Sequence, residues 1–255
     1  MQALGPAGFG AYNFSSAIDS QFLALLQQEI AQQVTTQENW SNPGGAFVNG
    51  RQVLVVQNHD VFALKLNGQV PGVDLAPLEQ VPLMIALTRA IEALVQSLGS
   101  QGLPNLNSWQ ADETSYHQYY KPDGLTPHMD NARFPGVIAI AAIFGTSTFA
   151  VYDRKPTAYG WDEELRQEVA TEWSIKSRYS IPTKPGDLLL MRGTKLYEGM
   201  TLGERPEHAV EDATPGRVSM MVRDNSRPSD TNYGFKYLNW DQTQVPQTGQ
   251  GKADS

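Results

Sequence analysis

Residues 137–144, Val-Ile-Ala-Ile-Ala-Ala-Ile-Phe, form an unbroken apolar run closed by Gly145. The run is far short of the roughly 18 residues that a membrane-spanning helix needs and has the length of a buried strand. Other strand patterns surround it. Thr114–Tyr120 alternates, Thr148–Tyr152 is β-prone, and Asp187–Met191 is entered through Lys184-Pro185-Gly186-Asp187. Arg217–Arg223 closes the set. Two stretches ahead of these strands read as helices. In residues 18–34, Asp19 is an N-cap, and Phe22, Leu23, Leu26, Ile30 and Val34 recur at helical spacing. In residues 80–98, Met84, Ile85, Thr88, Ile91, Leu94, Val95 and Leu98 line one stripe; Pro82 fits the first turn and Gly99 stops the helix. Residues 161–177 are expected to form a short polar-faced helix inserted between strands. Two helices followed by many short strands predict an α+β fold, with the helices packed on one side of a β-sandwich or jelly roll.

The length of 255 residues suits one domain over residues 1–240. Its helical part is expected over about 1–105 and its strand core over about 108–225, with residues 241–255 a disordered tail. The N-terminus has no basic start and no apolar run of secretory length. With no cysteine there are no disulfides and no thiolate metal sites, so His, Asp and Glu are the strong metal ligands to consider. The expected compartment is the cytoplasm. The 19 Lys and Arg are outnumbered by 27 Asp and Glu, giving a formal net charge of −8. That balance argues against a phosphate backbone as the main partner, and for a small-molecule substrate. No membrane partner is expected.

Two sets of side chains bear the chemistry, one suited to a metal ion and one to an anion. His128 and Asp130 stand two residues apart and share a face in an extended backbone, so both can reach one ion. A histidine from elsewhere would complete the two-histidine, one-carboxylate set of a non-haem iron site. Of the four histidines, His59 lies in a turn between β-like runs and His117 is close in sequence to His128. His208 is therefore the candidate, against the simpler reading of a solvated loop residue. Glu198 is a rival. In Arg217-Val-Ser-Met-Met-Val-Arg223, the two arginines and Ser219 share one strand face, opposite Val218, Met220 and Val222. Inward-facing guanidinium groups call for anions, and a dicarboxylate such as 2-oxoglutarate suits them. An edge strand with its arginines in water is the alternative. Tyr116, Gln118 and Tyr120 share a face and offer hydrogen bonds to the same acid.

The order Gln118-x-Tyr120, Pro122-x-Gly124, His128-x-Asp130, an apolar strand, Pro185-Gly186-Asp187, His208-x-Val210 and Arg217-x5-Arg223 resembles the AlkB-like branch of the Fe(II)/2-oxoglutarate dioxygenases over roughly residues 50–225. The resemblance implies a double-stranded β-helix core with Fe(II) on His128, Asp130 and His208. It implies that Arg217 pairs with the distal carboxylate of 2-oxoglutarate, helped by Tyr120. Gln118, Ser219 and Arg223 would lie near the end that chelates iron. With O2 as cosubstrate, an unactivated C–H bond would be oxidised and succinate and CO2 released. Gln118 and Ser219 stand where the family usually has Asn. The flap at 51–66 lacks the aromatic and basic composition used to grip a flipped base, with His59 and Phe62 its only stacking candidates. A small-molecule substrate is the first reading. Oxidative demethylation of an alkylated nucleobase is the second, and a non-enzymatic jelly-roll binding module the third. Residues 161–177 and 193–207 are the two candidates for a substrate lid.

Overall fold

The computed structural model describes residues 2–36, 51–57, 75–76, 81–119, 124–130, 134–162 and 167–224. Helix α1 (Ser20–Thr36) starts where its cap dictates, with Asp19 Oδ1 accepting the N–H groups of Gln21 and Phe22 at 2.9 Å each. Helix α2 (Pro82–Gly99) carries Pro at its start and has no side-chain cap of its own at Val81. Glu29 from α1 supplies the missing acceptors, taking the N–H groups of Leu83 and Met84 at 2.7 and 2.9 Å.

Among the described residues, eleven strands lie in two sheets. They are β1 (Ala11–Phe14), β2 (Arg51–Gln57), β3 (Leu75–Ala76), β4 (Glu113–Tyr119), β5 (Leu125–His128), β6 (Val137–Phe144), β7 (Ser147–Asp162), β8 (Gln167–Thr183), β9 (Leu188–Arg192), β10 (Glu207–Glu211) and β11 (Arg217–Arg223). The larger sheet has the order β1-β9-β6-β11-β4-β2-β3, and the smaller one β5-β10-β7-β8. All pairings are antiparallel except β2 with β3. The sheets face each other as a jelly roll, the double-stranded β-helix arrangement.

The apolar run of β6 is explained by what lies on each side of it. Val137, Ala139, Ala141 and Ile143 join the core beneath the helices, with Ile30, Met84, Ile91 and Val95. Ile138 and Ile140 join a second core between the sheets, with Phe149, Val151 and Val210. A strand covered on both faces has no place for a polar residue. The glycine that closes it is also required. Gly145 has φ +67°, and a Cβ there would come within 2.4 Å of Thr214 Oγ1.

The described residues of 161–177 form no helix: β7 and β8 pair antiparallel as one long ribbon, from Ser147↔Thr183 to Asp162↔Gln167. The composition explains it, because Val169, Thr171, Trp173 and Ile175 recur at every second residue and are β-branched or aromatic. The flap beyond Gln57, with His59 and Phe62, and the tail at 241–255 lie outside the described residues, as does Tyr120. No helix among the described residues is long and apolar enough to cross a membrane.

Candidate metal centre and anion pocket

β5 and β10 are neighbours in the smaller sheet, and their register sets His128 directly opposite His208. The two imidazole centroids are 4.3 Å apart. Asp130 follows two residues after the end of β5. Its Oδ1 lies 3.5 Å from His128 Nε2 and 4.0 Å from His208 Nε2. One ligand atom from each of the three lies within 4.8 Å of the others, the one such grouping of three or more His, Asp or Glu among the described residues.

The protonation states suit a cation. His208 is 2% exposed. Burial, aided by the neighbouring His128, pushes its pKa down to about 4, outweighing the pull of Asp130. Its Nδ1 lies 3.2 Å from the Pro206 carbonyl, which can only accept, so Nδ1 carries the proton and Nε2 presents a lone pair. Phe149 stacks on the His208 ring at 5.2 Å and 18°. Burial opposes ionisation of Asp130, but the hydrogen bond from His128 and the charges of His208 and Arg223 hold its carboxyl well below the usual range. Asp130 Oδ2 is buried with no hydrogen-bond partner. A buried carboxylate oxygen left unpaired beside imidazole nitrogens is the environment a divalent transition metal satisfies, with positions left open for exogenous ligands.

The inner face of β11 carries Arg217, Ser219, Met221 and Arg223, while Val218, Met220 and Val222 enter the core under the helices. Arg217 is 2% exposed. Its Nη1 donates to Ser219 Oγ at 3.2 Å, and its guanidinium carbon lies 5.0 Å from the centre of the Tyr119 ring. Its Nε is buried without a partner, and no carboxylate among the described residues forms an ion pair with it. Burial lowers its pKa, yet a guanidinium remains charged at any ordinary pH. A buried cation without a counter-ion is strongly disfavoured, so this pocket is built for an anion. Arg223 is half-buried over the Phe134 ring at 4.6 Å, with Nη2 3.3 Å from Met221 Sδ.

The structure thus brings His128, Asp130 and His208 together and sets Arg217, Ser219 and Arg223 on one inner strand face. Gln118 is not among them. Its cross-strand partner is Val218, and Tyr116 lies in the core under the helices, so that face of β4 points away from the anion pocket. The residues opposite Arg217 and Ser219 are Tyr119 and His117. His117 is buried, with Nε2 3.0 Å from Ser115 Oγ. The sequence signal that could have found them is the pairing itself, since an inward Arg217 requires the residue opposite it to point inward as well. Glu198 is exposed and stands apart from the cluster. A polar cavity of about 390 Å³ lies at the other end of the sandwich, between Asn13, Thr148, Lys184 and Asp212, and includes none of the metal-ligating candidates.

No protein-family model matches the sequence, and no curated protein matches it. Solved structures do match in fold. A Pseudomonas putida prolyl-4-hydroxylase superposes with a TM-score of 0.54 at 12% identity, over 86% of this chain and 93% of that one. The non-haem alpha-ketoglutarate-dependent epimerase SnoN from nogalamycin biosynthesis superposes with a TM-score of 0.53 at 14% identity, over 96% of this chain and 89% of that one. At these identities the likeness is one of fold, the double-stranded β-helix.

Proposed function

We propose that the chain is an Fe(II)- and 2-oxoglutarate-dependent dioxygenase of the AlkB-like branch that oxidises an unactivated C–H bond of a small molecule. One observation carries the reading: a triad of two imidazoles and a carboxylate shares its barrel with a buried guanidinium that has no carboxylate partner among the described residues. A metal-binding module needs the first feature and not the second. In this reading His128, Asp130 and His208 would hold the metal, each offering one ligand atom within 4.8 Å of the others. Fe(II) held there would activate O2, whose four oxidising equivalents would be divided between the conversion of 2-oxoglutarate to succinate and CO2 and the oxidation of the C–H bond. Arg217 holds the distal carboxylate of 2-oxoglutarate, aimed by Ser219 beneath it and by the Tyr119 ring beside it. Phe149, Val151, Ile140 and Met221 wall the space between the sheets and exclude water. The net charge of −8 favours a small molecule over nucleic acid as substrate.

Anaerobic titration with Fe(II) and then 2-oxoglutarate tests this directly. A weak visible charge-transfer band is expected on addition of the second component. His208→Ala should abolish the band through loss of metal, whereas Arg217→Ala should keep the metal and lose the cosubstrate. A wild-type protein that binds neither component, and whose melting temperature neither raises, is a jelly-roll binding module instead.

A further inference from the structure

The segment that delivers His208 into β10 is anchored along its length. A short 3₁₀ turn, Leu202–Glu204, is held by a capping box in which Thr201 and Glu204 satisfy each other, and Glu204 also accepts the Tyr197 hydroxyl at 2.8 Å. Arg205 follows at once. Its Nε donates back to the Leu202 carbonyl at 2.8 Å, which fixes the stem, and its Nη1 donates to the main-chain carbonyl of Asp130. The next residue, Pro206, gives its carbonyl to His208 Nδ1. Gly10, at φ +90°, packs against Pro206 so closely that an added Cβ would stand 3.1 Å from it. Two consecutive residues, Arg205 and Pro206, therefore touch two of the three ligand-bearing positions.

We infer that Arg205 is a positioning residue for the metal centre: it pins the backbone of Asp130 to the His208 segment through the main-chain carbonyl and leaves the carboxylate to the ion. The inference rests on the metal-centre reading above. The choice of acceptor matters. A guanidinium on the carboxylate itself would compete with the metal, but one on the carbonyl orients the side chain without occupying it. Geometry and charge also make opposite forecasts. Removing a nearby cation should tighten metal binding if Arg205 acts only through its charge. It should weaken binding if Arg205 acts by holding Asp130 in place.

Mn(II) binding, followed by the loss of the free-ion EPR signal, separates the two. Arg205→Met keeps the apolar stem and removes the donors; it is expected to raise the Mn(II) Kd by about 10- to 100-fold, the usual range for a lost outer partner of a metal ligand. The bound-ion spectrum should broaden, and the melting temperature of the metal-free protein should not move. Arg205→Lys, which can still reach a carbonyl, should recover most of the affinity. Wild-type or tighter Mn(II) binding by Arg205→Met overturns the assignment, as does an Arg205→Lys variant no better than Arg205→Met. A wild-type protein that binds no Mn(II), under conditions where His208→Ala is equally silent, overturns the metal-centre reading itself.

Discussion

Tyr116 and Arg217 each bury a polar atom without a hydrogen-bond partner, and what each contributes differs because Arg217 can be completed by an anion and Tyr116 cannot. The Tyr116 hydroxyl is buried with no hydrogen bond. Burial, with the charge of Glu29 adding to it, raises its pKa well above the ordinary value, so it stays neutral. Tyr116→Phe removes a group that is already unsatisfied, and should leave stability unchanged or raise it by about 1 kcal/mol. A urea-unfolding midpoint that falls on substitution would mean that the hydroxyl has a partner. Arg217→Met should likewise leave the ligand-free protein at least as stable, because an uncompensated buried charge is removed. The same change should weaken 2-oxoglutarate binding by roughly a factor of 100 or more, as expected when one half of a buried charge-assisted pair is lost. Calorimetry with and without the acid distinguishes the two effects. The inward phase of β11 was legible in the sequence, because Val218, Met220 and Val222 alternate with the arginines. The phase of β4 was not. Tyr119 and Tyr120 are adjacent and chemically alike, and only the pairing with Arg217 selects Tyr119.

At the scale of whole elements, the two helices illustrate the same division. Asp19 caps α1 from the adjacent residue and so is visible as a local motif. The cap of α2 comes from Glu29, 54 residues before Leu83, and no local pattern announces it. Glu29→Ala leaves two buried-end N–H groups unpaired and should destabilise the fold by about 1–3 kcal/mol, read as a lower denaturation midpoint with an unchanged slope. The β7–β8 ribbon is hidden in the sequence for a different reason: its charged residues imitate the polar face of a helix, and only its period-two apolar positions betray strands. β10 pairs with β7 only from Thr148 to Tyr152, so the ribbon beyond Asp153↔Ser177 pairs with neither strand that carries a metal-ligating histidine. Replacing residues 154–176 by Asn-Gly, the favoured two-residue hairpin turn, should therefore preserve the fold and Mn(II) affinity. Loss of either would show that the ribbon supports the metal-bearing strands.

The molecule as a whole depends on its first residues being fastened to the larger sheet, because Leu4 lies in the core under the helices and β1 forms that sheet's edge. Two polar clamps hold them. Arg192 donates to the carbonyls of Leu4, Gly5 and Gly8. Asp187 accepts the Asn13 amide, the Ser15 hydroxyl and the Ser16 N–H, and closes its own turn with the Lys184 N–H. Burial works against ionisation of Asp187, but these donors win and its pKa falls below the ordinary carboxylate value. The sign of the pH effect follows. In the unfolded chain the carboxyl takes up its proton at a higher pH than in the fold, so the stabilisation is complete above the unfolded pKa and is lost as pH falls through the folded one. Asp187→Asn should lower stability by about 1–3 kcal/mol at pH 7, because a hydrogen-bonded buried carboxylate is replaced by a group that accepts fewer bonds. Below about pH 4 the wild-type curve should fall towards that of the variant. Thermal unfolding from pH 3 to pH 7, with chelator present so that His128, Asp130 and His208 bind no ion in either protein, makes the comparison. Curves that stay parallel over the whole range would mean that Asp187 holds the N-terminal strand by shape rather than by charge.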